Sequence, residues 1–146
     1  MTDHGDALDK VALPRLGLSP AVLLTIALGG ALGTVARFLL STTFSDTARQ
    51  FPTTTLLINL SGSLAIGLLV PLVDNFAKRA PLVRPFLIVG ILGGWTTYST
   101  LAVDAVVLAK DGHAVTALLS LAATLVGGLA LVPLGHAAGR ATVSDS

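Results

Sequence analysis

Polar side chains inside long apolar stretches are where this sequence could do chemistry, because hydrogen-bonding groups placed in lipid are costly unless they meet a partner. In the second such stretch Thr55, Asn59 and Ser63 recur every four residues, with Gly62 beside them and Gly67 one turn on. That spacing makes a polar stripe on one helix face. In the fourth stretch Thr116, Ser120 and Thr124 repeat it ahead of Gly127 and Gly128. Two stripes can line one path. Alternatively, their hydroxyls bond the carbonyl four residues back and hold helices together at about 0.6 kcal/mol each. Asn59 stands apart, since its amide carries two N–H donors that suit an anion and are expensive to strand in lipid. The formal glycosylation sequon Asn59-Leu60-Ser61 lies inside the apolar stretch and is set aside.

The third stretch contains Gly90-Ile91-Leu92-Gly93-Gly94-Trp95-Thr96-Thr97-Tyr98-Ser99-Thr100, three glycines followed by hydroxyl and β-branched residues. Such a run is a poor helix former, each Gly costing about 1 kcal/mol relative to Ala. One reading is a local interruption whose free carbonyls a cation would satisfy. The other is that Gly90 and Gly94, like Gly29 and Gly33 in the first stretch, form a close-packing surface. Farther on, Asp104 still lies within apolar sequence and is a functional candidate. It could equally serve as a partner for Arg37, or for Ser and Thr on a neighbouring helix. Asp74, at the end of the second stretch, reads as interfacial.

The elements that must position these groups follow from composition. Of 146 residues 53% are hydrophobic and 12% charged, about half the charge of a soluble domain, and the mean hydropathy is +0.83. A membrane span consumes about 20 apolar residues, and four windows qualify: 20–41, 53–73, 85–109 and 114–135. They leave no room for a soluble domain, so the expected fold is an all-α integral membrane protein of four transmembrane helices, occupying residues 20–138. Residues 1–19 and 139–146 lack an apolar helical pattern and are expected to be disordered tails. Asp3, Asp6 and Asp9 precede the first window, unlike a basic leader, so that window reads as a retained helix.

Nine Lys and Arg face eight acids, all Asp, which offers no basic surface for nucleic acid. There is no Cys, and His4, His113 and His136 are too scattered for a metal site. No span sets a nucleophile beside a base, so an enzyme is not expected. With both termini on one side, that side holds Lys10, Arg15, Lys78, Arg79, Arg84 and Arg140, and the other Arg37, Arg49 and Lys110. Six against three favours cytoplasmic termini in a cell inner or plasma membrane.

The sequence resembles the CrcB or Fluc fluoride channels, small four-span bacterial proteins, over all four spans. Gly29-Gly30-Ala31-Leu32-Gly33-Thr34-Val35-Ala36-Arg37-Phe38 is similar to that family's first-helix motif, the stretch Thr55–Ser63 to its second-helix motif around an Asn, and Gly90–Thr100 to its third-helix signature. The resemblance implies an antiparallel dual-topology dimer in which broken third helices hold a central structural Na⁺ through main-chain carbonyls, here those of Gly93 and Thr96. It implies an ion pathway along Thr55, Asn59, Ser63, Ser120, Thr124 and Asp104, with Arg37, Gly62 and Gly94 in structural roles. The implied activity is passive export of fluoride, conferring fluoride resistance.

Fluoride is small and tightly hydrated, so its path must replace water with amide N–H groups, hydroxyls and aromatic ring edges. The family's third helix usually carries two Phe for this purpose where the present chain has Tyr98 and Leu101. Together with the charge bias, that departure predicts a heterodimer with a related, oppositely oriented subunit, the homodimer being the other possibility. Two rival readings are a small proton-coupled multidrug exporter, which needs an acid in the first span where this chain has none, and a non-conducting accessory membrane subunit.

Overall fold

The protein, seen in a computed structural model, is described over residues 19–44, 51–76 and 79–144. The first helix, α1 (Pro20–Thr43), begins where the Ser19 hydroxyl accepts a hydrogen bond from the Val22 N–H at 3.3 Å, with Pro20 at the first helical position. After α2 (Thr53–Phe76) comes a third span built in pieces. A π-helical segment, Pro85–Leu92, runs into a single turn, α3 (Gly93–Trp95). Thr96 and Thr97 are then extended, and α4 (Tyr98–Lys110) follows. The last helix is α5 (Ala114–Ser144).

Pro20–Thr43, Thr53–Asn75, Pro85–Lys110 and Ala114–Val143 are long and apolar enough to cross a membrane. Their outward faces are lined with large apolar side chains such as Leu24, Phe38, Leu118 and Leu129, and on α1 only Gly29 and Gly33 are buried. Helices that turn apolar faces outward and glycines inward have lipid as their solvent. This is a multi-pass membrane protein.

Small residues set the helix pairing. α1 lies alongside the third span in the same direction, backbone on backbone. A Cβ on Gly29 would meet the Phe86 carbonyl and Gly90, one on Gly33 would strike the Ile91 carbonyl, and one on Gly94 the Gly30 carbonyl. The glycine spacings in α1 and the third span are therefore close-packing surfaces. α2 and α5 pair likewise and also run parallel, Gly67 against Val132, Gly135 against Leu64 and Gly139 against Leu68. α4 returns into α5 through a tight link: the His113 N–H donates to the Leu108 carbonyl at 2.8 Å, the Gly112 N–H to Ala109 at 3.2 Å, and Gly112 sits at φ 84°. This left-handed glycine cap ends α4. Ala105, Leu108 and Ala117 then close a small core across the link.

The four expected windows all carry helices. The C-terminal tail requires correction: α5 continues to Ser144, so residues 139–144 are helical. Gly139 packs on Leu68 and Pro71, and this tertiary contact extends the helix past the end of its apolar pattern. The π winding of Pro85–Leu92 had no counterpart in the sequence reading. The expected tail over residues 1–18, and Lys10, Arg15, Arg49 and Lys78 of the charge count, lie outside the described residues.

Candidate functional site

The polar residues gather where α2 crosses Thr96–Thr97 and α4. Asn59, buried on α2, pairs with both main-chain groups of one residue: its Nδ2 donates to the Thr97 carbonyl at 2.9 Å, and its Oδ1 accepts from the Thr97 N–H at 2.8 Å. One turn back, the Thr55 hydroxyl donates to Asp104 Oδ2 at 2.7 Å. Gly62 gives this crossing its room, because a Cβ there would collide with the Thr96 methyl. Beside it, Trp95 Nε1 donates to Ser61 Oγ at 3.0 Å.

Hydrogen-bond accounting explains the extended residues. In a continuous α-helix the Thr97 N–H would serve the Gly93 carbonyl and the Thr100 N–H the Thr96 carbonyl. The first goes instead to Asn59, and the second goes to Thr97 Oγ1 at 3.1 Å as a helix N-cap. The carbonyls of Gly93 and Thr96 thus lose their helical donors. The Gly94 carbonyl is served from outside the span, accepting from Arg37 Nε at 3.1 Å. The Leu92 carbonyl takes both the N–H and the hydroxyl of Thr96, each at 3.0 Å.

The remaining expected residues are placed as follows. Ser120 and Thr124 are buried on α5, and their hydroxyls donate to the carbonyls of Ala117 and Ser120, each at 2.8 Å. Their protons are thus engaged within their own helix, Ser120 three residues back and Thr124 four. Ser63 faces Gly128 of α5, where an added Cβ would lie 3.1 Å from its hydroxyl oxygen. Tyr98 and Leu101 are one turn apart on α4 yet differ sharply: Tyr98 is 81% exposed and Leu101 4%. Gly93 is exposed with open space around it. Of the two partners weighed for Asp104, the hydroxyl of a neighbouring helix is the one found, while Arg37 turns to the third span. Asp74 is half exposed and lies 3.4 Å from Arg84.

Sequence reasoning missed Thr97, which is clamped by Asn59, caps α4 and bonds the Thr100 hydroxyl at 2.9 Å. The signal was a Thr three residues before another Thr at the start of an apolar run. It missed Ser61 as the acceptor for Trp95, for which no local pattern exists.

A family model described as CrcB-like protein, Camphor Resistance (CrcB), matches residues 24–136, from the first span into the last. The chain belongs to the CrcB-like family. Fluoride-specific ion channel FluC 2 of Nocardia farcinica is 42% identical over 123 residues, 84% of this chain and 88% of that protein. Fluoride-specific ion channel FluC of Chlorobium luteolum is 37% identical, covering 83% of this chain and 94% of its own length. The FluC protein of Paracoccus denitrificans is 39% identical over 80% of this chain and 93% of its own. The matched CrcB-like region contains the whole α2 crossing, both extended threonines and most of α5.

Proposed function

We propose that this CrcB-like chain is a subunit of a fluoride-selective channel that exports the ion passively across the cell membrane. The observation that carries the reading is the Asn59–Thr97 clamp in a chain whose full-length relatives are named fluoride-specific ion channels. One N–H of Asn59 is used on Thr97; the other has no partner among the described residues and remains for an anion. The hydroxyls of Thr55, Ser120 and Thr124 already donate to protein oxygens, so each must swing from that oxygen to meet a passing ion. Tyr98 offers a ring edge and a hydroxyl at the chain's surface. Asp104, held by Thr55, sets the acidic end of the row.

The carbonyls of Gly93 and Thr96 fit a hard cation, because both oxygens lose their helical donors and an oxygen-only set suits Na⁺. A Na⁺ held there would supply a fixed positive charge that lowers the cost of admitting an anion to a low-dielectric interior. Arg37 and Gly94 position the turn beside it.

The assembly is an antiparallel dual-topology dimer, and for this chain a heterodimer with a related subunit of opposite charge bias that carries both aromatic rings. Leu101, with no ring edge and a place in the core, supports that choice over the homodimer. The test is fluoride-electrode recording from proteoliposomes, with chloride as the competing halide, for the chain alone and mixed with a related subunit. Fluoride efflux without chloride efflux in the mixture is expected. No fluoride efflux in either preparation refutes the channel reading, and full efflux from the chain alone refutes the heterodimer.

A further inference from the structure

Away from the crossing, a groove of about 490 Å³ opens between α2 and α5. Ile66, Val70, Val132 and Pro133 wall it, and His136 and Arg140 close one end, where it adjoins a second hollow that includes Asp74. Its depth is fixed by counting residues. About 20 residues of α2 cross the hydrocarbon, which brings it to the neighbourhood of Asp74; α5 runs parallel with Gly139 against Leu68 and Pro71, so Arg140 lies near that level and His136 about one turn deeper, beside Gly67. The apolar walls therefore lie in the acyl layer and the polar end among lipid headgroups. That end belongs to the Lys- and Arg-richer side, with Arg79 and Arg84 in the adjoining link. Asp74 shares that hollow, and Arg84, 3.4 Å from its carboxylate, offsets part of its charge.

We infer that this groove binds one anionic phospholipid, its phosphate at Arg140 and His136 and an acyl chain along the Ile66 and Val132 walls. The slot is apolar, and across His136 and Arg140 it adjoins a hollow with a polar lining; the two together match both halves of such a lipid. Arg140 need not be free of other contacts, because its guanidinium carries five donors. The inference is independent of fluoride conduction.

The experiment is native mass spectrometry of the full chain with equal phosphatidylglycerol and phosphatidylcholine. Phosphatidylglycerol should be retained preferentially, with its retention reduced about fivefold by Arg140→Gln, restored by Arg140→Lys and abolished by Ala137→Phe, which fills the slot. Equal retention of the two lipids, or no change in Arg140→Gln, overturns the inference. Displacement by inorganic phosphate would assign the cationic end to free phosphate instead. Loss of a dimer in Ala137→Phe with lipid retention intact would assign the groove to a second copy. Retention is read apart from efflux, so its failure leaves the channel reading standing.

Discussion

At the scale of single residues, Asn59 does two things with one amide. It replaces the helical partner of the Thr97 N–H, and it presents a donor in a setting where donors are scarce. Asn59→Asp keeps the shape but removes the Nδ2 donor and sets a carboxylate oxygen against the Thr97 carbonyl. Fluoride efflux should vanish in that variant, because the added negative charge also repels the ion; unchanged efflux would place Asn59 off the path. Thr55→Val leaves Asp104 without its donor, which should cost about 1 to 3 kcal/mol in detergent unfolding experiments. Efflux should fall with it if Asp104 must be held in place to work.

At the scale of elements, the glycines divide into those that admit a neighbour and two, Gly93 and Gly112, that face open space. Gly33→Ala drives a Cβ into the Ile91 carbonyl, and the overpacking should cost about 1 to 3 kcal/mol by thermal unfolding. Gly93→Ala meets open space at helical dihedrals and should raise stability by about 0.4 to 1 kcal/mol. The helices were legible because a 20-residue apolar run in a chain so poor in charge has one physical solution. Asn59 was legible because a carboxamide amid Leu and Ile demands a partner. The identity of that partner was not, since the bond to Thr97 depends on how α2 crosses the third span, which no local pattern encodes. The Thr55–Asp104 bond was hidden for the same reason. The end of α5 was misread because Gly139 gains its helical state from Leu68 and Pro71, distant in sequence. The π winding lies where Phe86 and Gly90 meet Gly29 of α1, a contact distant in sequence.

At the scale of the whole molecule, the described residues bury few large side chains and leave Tyr98 in the open, which agrees with the dimer proposed above. If the missing ring at Leu101 is what calls for a sister subunit, the double variant Tyr98→Phe, Leu101→Phe should give the solitary chain fluoride efflux above that of the parent. Leu101 lies in the core, so the larger ring will lower stability by about 1 to 3 kcal/mol, and efflux must be compared at equal amounts of folded protein. No gain in efflux would mean that the aromatic departure does not decide the partner.

The tight link between α4 and α5 bears on how the orientation of this chain can be read. Asp111, Gly112 and His113 all commit their amides to the end of α4, and Gly112 occupies a left-handed conformation that other L-residues rarely adopt. An epitope or reporter peptide inserted there would uncap one helix and part it from the next, so the reporter would mark a damaged molecule. Sidedness is better read by labelling the native Lys110 with a reagent that cannot cross the bilayer.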